Sequence, residues 1–167
     1  MVKPAPHPLP DEIASLTDVY FNKTKRVVER FGDKTVTYAV FMRRPVVSAP
    51  RLAIEWLQSV AVARSTHFDI DLRYQEGKLV SAGETLFYVS GNLSQLVDLE
   101  TLFLQKIGAA CVAAQNAYAM CADLPKSAFI AFDARHCAGT EMAQLMAYAA
   151  SVGSARAQNQ LGAVGFI

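Results

Sequence analysis

"SAFIAFDARHCAGTE", residues 127–141, is the stretch that decides how the chain is read. Its first half, Ser127–Phe132, is a short continuous apolar run of the kind that forms a fully buried strand. Asp133, Arg135 and His136 follow at once, and Gly139 and Thr140 then suit the start of a helix. "TEMAQLMAYAASVG" (140–153) reads as that helix, and "AVGFI" (163–167) as a second apolar strand. Strand, helix and strand make a βαβ unit, the building block of a parallel sheet. Two strands cannot close a barrel, which takes roughly 250 residues. The stretch is therefore either part of a longer β/α chain or a two-strand addition to a sheet formed earlier.

Upstream, the pattern is different. "MVKPAPHPLP" (1–10) has four prolines and reads as an extended arm, with His7 a solvated loop residue. Pro10, Asp11 and Glu12 suit a helix start, acids lying near the positive end of the dipole. Thr17-Asp18 offers a second N-cap that splits this helix, and Gly32 a C-cap after Lys25, Arg26 and Arg30. "TVTYAVFM" (35–42) is rich in β-branched and aromatic residues and reads as a strand. Pro50 opens a helix, "RLAIEWLQSVAVA". "HFDIDLRY" (67–74) alternates apolar Phe68, Ile70, Leu72 and Tyr74 with polar residues, a strand with one buried face. A turn at Glu76-Gly77 leads to further strand through residue 91. Asn92 and Gln95 resemble a capping box ahead of a long helix to residue 123, apolar around most of its circumference and open to a break or kink at Gly108.

These signals give an α/β chain: a flexible arm (1–10), an α+β N-terminal domain with a mainly antiparallel sheet (11–92), a long connecting helix region (93–126), and the first βαβ of an incomplete β/α barrel domain (127–167). Of the 167 residues 52% are hydrophobic and 19% charged, enough apolar material for a real core. The formal net charge of +1 gives no electrostatic reason to expect nucleic acid or an anionic membrane as partner. No run of about 18 apolar residues offers a membrane span. Cys111, Cys121 and Cys137 are odd in number and fit no zinc spacing, which suggests free thiols in a reducing cytoplasm. Cys111 and Cys121 read as core residues, while Cys137 beside the charged cluster could be a site thiol.

Ligands of α/β units bind at the C-terminal ends of parallel strands. There Phe132 offers a ring face, Arg135 a planar fork of donors for a carboxylate or phosphate, and Gly139-Thr140 the free N–H groups of a helix start. The bland alternative is an Asp133–Arg135 pair that closes a loop. Asp69 and Asp71 could hold a metal but read more simply as solvated strand positions. No P-loop, GxGxxG, GxSxG or HExxH is present, so the usual nucleotide cradles and hydrolase motifs are missing.

With these segments in view, the chain resembles the nicotinate phosphoribosyltransferases. "LTDVYFNKT" (16–24) is similar to their Thr-Asp-x-Tyr segment. "GETLFYVSGNLSQLVDLETLFLQ" (83–105) resembles their strand and the helix carrying Glu-Thr. "FDARH" (132–136) resembles their Phe-Gly-x-Arg-Arg motif, and "AVGFI" their strand leading into a glycine-rich turn. The resemblance implies a type II phosphoribosyltransferase, a cytoplasmic homodimer with its active site at the subunit interface. It would join nicotinate to phosphoribosyl pyrophosphate in NAD salvage, with Mg²⁺ and coupled ATP hydrolysis.

It also implies that Tyr20 stacks on one face of the pyridine ring from the neighbouring subunit and Phe132 on the other. Arg135 would bind the carboxylate or a substrate phosphate, with His136 and Thr140 completing the substrate-binding set and no catalytic side chain in this portion. The glycine and second arginine of the motif are Asp133 and His136 here, and 155–162 looks like extra sequence. The family's phosphorylated histidine matches none of His7, His67 and His136. Quinolinate or nicotinamide phosphoribosyltransferases, and a truncated non-catalytic homologue that binds a partner or nucleotide, are the alternatives. The 167-residue piece alone is expected to be inactive.

Overall fold

The computed structural model describes residues 10–157. The proline-rich arm with His7, and the expected extra sequence from residue 158 and strand at 163–167, lie outside the described residues.

Helix α1 (Pro10–Leu16) opens at Pro10 and stops before Thr17, and α2 (Val19–Phe31) begins after Asp18, the split that Thr17-Asp18 signals. Gly32 ends α2 with φ 106°, where a side chain would be strained, and its N–H donates to the Val28 carbonyl. Strand β1 (Thr35–Phe41) turns Val36, Tyr38 and Val40 toward the core. A short strand, β2 (Val46–Val47), leads to α3 (Arg51–Ala63), which starts immediately after Pro50. Strands β3 (Asp69–Leu72), β4 (Leu79–Val80) and β5 (Thr85–Asn92) follow. The chain continues into α4 (Leu93–Leu96), α5 (Glu100–Asp123), one 3-10 turn at Ala134–His136 and α6 (Thr140–Ala157).

Among the described residues all strand pairs are antiparallel. The larger sheet has the order β1-β5-β3, and β2 pairs separately with β4. The central strand β5 buries Leu86, Phe87 and Val89 completely. Each such side chain removed from water is worth about 1.5–3 kcal/mol. Strand β3 is shorter than the 67–74 expectation. It is an edge strand, and its apolar face is covered only at one end: Phe68 is buried, Ile70 half-buried and Leu72 exposed.

The core joins that sheet to Trp56 and Leu57 of α3, Val46 and Val47 of β2, and Phe103 and Ile107 of α5. Helix α5 packs against β2, α3 and α6, which explains its nearly uniform apolarity. Helices α5 and α6 meet through small residues. A Cβ on Gly153 would lie 2.0 Å from the Ala114 carbonyl oxygen and 2.9 Å from the Ala117 Cβ.

Three expectations are corrected. The helix expected to run from 93 to 123 is interrupted at residues 97–99 and runs unbroken through Gly108. The break falls where Asp98 is drawn into ion pairs with Lys25 and Arg64. The Asn92–Gln95 capping box does not form. The Leu93 N–H donates to the Lys34 carbonyl, and Asp33 accepts from the N–H and hydroxyl of Ser94, so the first donors of α4 are satisfied from across the chain. Finally, Ser127–Phe132 forms no strand, and no βαβ unit is completed among the described residues. A strand exists only through its pairing; this segment pairs with neither sheet, and Ile130 and Phe132 stay 63% and 67% exposed.

Candidate functional site

Three of the five site residues expected from the sequence, Phe132, Arg135 and His136, lie in one loop between α5 and α6, and a fourth, Thr140, is the first residue of α6. Phe132 ends the extended segment with its ring exposed, and Arg135 and His136 lie in the 3-10 turn with exposed side chains. The turn closes through backbone alone: His136 N–H donates to the Asp133 carbonyl at 2.8 Å and Cys137 N–H to that of Ala134 at 3.3 Å. The Cys137 thiol also points to the Asp133 carbonyl, at 3.3 Å. Gly139, with φ 88°, then turns the chain into α6 at Thr140.

The loop-closing Asp133–Arg135 pair is absent. Among the described residues Arg135 forms no ion pair; a guanidinium presents a planar fork of donors suited to an anion. The start of α6 is less open. Glu141 in its first turn pairs with Lys106 of α5, placing an acid at the positive end of the helix where the sequence suggested an external anion. Lys106 also lies over the Trp56 ring, 5.5 Å from its centroid. The α6 end of the loop is thereby tied to the core.

A second tie holds the middle of α6. The Tyr148 hydroxyl donates to Glu76 at 2.5 Å and accepts the Arg51 N–H at 3.2 Å, while the Arg51 guanidinium lies 4.5 Å from the Tyr148 ring centroid. Burial and then the Glu76 carboxylate push the Tyr148 phenol well above its ordinary range.

Tyr20, the fifth residue, lies in the first turn of α2. It is 58% exposed, and its ring partner is Phe21, centroids 4.0 Å apart. The Tyr20 and Phe132 rings do not pair within one chain. The start of α2 is fixed to that of α5: Thr101 Oγ1 donates to Asp18 Oδ2 at 3.0 Å and accepts the Asp18 N–H and the Thr17 hydroxyl, each at 3.3 Å. Partial desolvation, Asp18 and Glu100 raise the Tyr20 phenol, and burial followed by Asp18 raises the Glu100 carboxyl.

Further along α2, Lys25 donates to Asp98 at 2.7 Å, and Arg64 grips the same carboxylate through two bonds of 2.8 and 2.9 Å. Asp98 is 2% exposed. Burial works against its charge, but the bonds from Arg64 and Lys25 outweigh it and hold the carboxyl below the usual aspartate range. The sequence reading missed Thr101, Asp98 and Lys106 as organising residues. An acid at 98 between apolar residues was the available signal; its partners, 34 and 73 residues away, had none.

The other chemical candidates resolve simply. Asp69 and Asp71 are exposed, and Asp71 pairs with Arg73 at 3.2 Å. Among the described residues no group of three or more His, Cys, Asp or Glu stands together as a metal site. Cys111 and Cys121 are buried, and burial pushes the Cys111 thiol up to about 11.

The fold has solved counterparts. The nicotinate-nucleotide pyrophosphorylase of Francisella tularensis matches with a TM-score of 0.63 at 14% identity, over 89% of this chain and 53% of its own. NadC from Streptococcus pyogenes gives 0.64 at 14% identity, over 86% and 49%. Human nicotinic acid phosphoribosyltransferase gives 0.64 at 19% identity, over 91% and 39%. The chain thus spans about half the length of the first two and less of the third. Among curated proteins none matches in sequence.

A mixed α/β unit with an antiparallel sheet, shared with these proteins, is the N-terminal architecture of type II phosphoribosyltransferases. The family model "Quinolinate phosphoribosyl transferase, N-terminal domain" matches residues 18–111, more than half of the chain, and the chain belongs to that family. The sequence resemblance is right at the level of type II phosphoribosyltransferases; the family model bears the name of quinolinate rather than nicotinate.

Proposed function

We propose that this chain is the N-terminal part of a type II phosphoribosyltransferase of NAD biosynthesis. It would join a pyridine carboxylate, nicotinate, to phosphoribosyl pyrophosphate, releasing pyrophosphate. The observation that carries this is Arg135: an exposed guanidinium without an ion pair among the described residues, three residues from an exposed phenylalanine ring. A flat aromatic acid needs one ring face and one cation fork.

In this proposal Phe132 stacks on the pyridine ring, Arg135 holds its carboxylate, and His136 and Thr140 line the same loop. Tyr20 covers the opposite ring face from a second copy of the chain. The exposed Tyr20, Val27 and Phe31 on α2 support an interface there. The displacement at the ribose carbon has oxocarbenium character and needs no side-chain nucleophile; positioning of both reactants and neutralisation of pyrophosphate supply the rate.

Mg²⁺ would travel with the phosphoribosyl substrate; the described residues supply no set of metal ligands for it. ATP coupling, a cytoplasmic location and the division at residues 92 and 126 belong to the same proposal and rest on the family resemblance. Among the described residues no helix is long and apolar enough to cross a membrane. Residues 127–167 would begin the barrel domain, and the 167-residue chain alone would not turn over.

Quinolinate is the second reading, favoured by the name of the matching family model. A dicarboxylate calls for a second cation, and His136 stands where the resembling motif has an arginine. The test is mononucleotide formation from phosphoribosyl pyrophosphate by the complete enzyme, with nicotinate, quinolinate and nicotinamide in parallel. Product from nicotinate supports the first reading and product from quinolinate alone the second. No product from any of the three overturns both.

A further inference from the structure

Two motifs of the sequence, Thr17-Asp18-Val19-Tyr20 and Glu100-Thr101, are 83 residues apart at their point of contact and meet in one hydrogen-bonded cluster. We propose that Thr101 is a positioning residue for Tyr20: by fixing Thr17 and Asp18, it sets the direction in which the Tyr20 ring leaves α2. Its consequence for the reaction rests on the proposed function, in which Tyr20 covers the pyridine ring; the positioning itself does not.

The Thr101 hydroxyl has one proton to give and two lone pairs. All three are used, toward Asp18 Oδ2, the Asp18 N–H and the Thr17 hydroxyl. Asp18 holds the N-cap position of α2, where its carboxylate would ordinarily accept an N–H of its own helix. It makes no such bond. The carboxylate is turned to Thr101 instead, so the helix start is defined by α5 and not by α2 itself.

Helix α2 is moored to the segment 94–101 at three points in antiparallel order: Asp18 to Thr101, Lys25 to Asp98, and Asp33, just past the helix, to Ser94. Only the first lies within one turn of Tyr20. The other two, with buried Phe21 and Val28, keep the body of α2 in place when the first is removed. Loss of Thr101 should therefore act on the N-cap and the Tyr20 side chain, while the Asn22 amide, donating to the Ala14 carbonyl, and the Thr24 hydroxyl, donating to the Tyr20 carbonyl, help to keep the rest of the helix formed and docked.

The decisive experiment is NMR on the 167-residue chain and its Thr101→Val variant, which keeps shape and removes the hydroxyl. The expected result is loss of the Tyr20–Phe21 ring contacts and lower order at residues 18–20, with Phe21 and residues 25–31 unchanged and Thr101→Ser restoring the wild-type pattern. Asp18→Ala, which removes only the exposed partner, provides the same reading should Thr101→Val fail to fold. Unchanged contacts and order at Tyr20 in these variants overturn the proposal.

In the complete enzyme, Thr101→Val should raise the KM for the pyridine substrate roughly tenfold with a smaller change in kcat. It should add nothing in a Tyr20→Ala background. An equal loss in both backgrounds also overturns it. If Tyr20→Ala itself leaves the kinetics unchanged, the placement of Tyr20 at the substrate fails, while the NMR result still decides what Thr101 does.

Discussion

Gly153 of α6 lies directly against the backbone of Ala114 on α5: a Cβ built on Gly153 would fall 2.0 Å from the Ala114 carbonyl oxygen. The contact is with backbone, which cannot rotate away. Gly153→Ala must push the helices apart, at a cost of about 1–3 kcal/mol for overpacking. Urea unfolding should show a lower midpoint with an unchanged slope. Gly108→Ala, on the same helix pair but with open space around its Cβ position, should be neutral or stabilising.

Asp98 is the polar centre of the N-terminal half. Replacing it with asparagine leaves the partly buried Arg64 and Lys25 facing no negative charge, and should cost roughly 3 kcal/mol. The pH dependence has a defined sign. The native Asp98 carboxyl is held below the usual aspartate range, so its contribution is full above that range. It is lost as pH falls through the lowered native value. Denaturation curves of wild type and Asp98→Asn should therefore converge in acid and stay apart at neutral pH.

The thiols should separate by accessibility. Cys111 is fully buried, with its titration pushed up to about 11, and Cys121 is buried and shifted the same way. Cys137 is half-buried in the site loop. Alkylation of the native protein near neutral pH, followed by peptide mass mapping, should label Cys137 first and Cys111 only on unfolding.

Tyr148→Phe removes the hydroxyl that joins α6 to Glu76 and to the N–H of Arg51. The Arg51 N–H and the Glu76 carboxylate each lose one hydrogen bond, while Glu76 keeps its ion pair with the Arg51 guanidinium, so stability should fall by about 0.5–1.5 kcal/mol. Circular dichroism melts would measure it.

How legible these features were in the sequence depended on how local their causes are. Gly32, Pro50 and the alternation of Thr35–Phe41 act within a few residues, and the elements they mark fall where the sequence places them. The Thr17-Asp18 split was visible for the same reason. The break at residues 97–99 carries no glycine or proline; it falls where Asp98 reaches Arg64 and Lys25, partners far away in the sequence. The cap of α4 was misassigned because Asp33, 61 residues away from Ser94, takes the role that Asn92 and Gln95 suggested. Ser127–Phe132 shows the limit most clearly: apolar composition marks a segment able to be a strand, while pairing decides whether it is one. In the site, Arg135 could be singled out by its chemistry and its position after an apolar run. Its freedom from Asp133 could be learned only from the folded loop.

In the proposed function Arg135 holds the carboxylate of a pyridine substrate. The most direct test is the ratio of kcat/KM for nicotinate over nicotinamide, which differ in that charged group, in the complete enzyme and in its Arg135→Ala variant. A hydrogen-bonded charge is worth about 1.5–3 kcal/mol. The variant should therefore lose the preference for the acid by tenfold or more, with no change in melting temperature. An unchanged ratio would contradict it and remove Arg135 from the substrate.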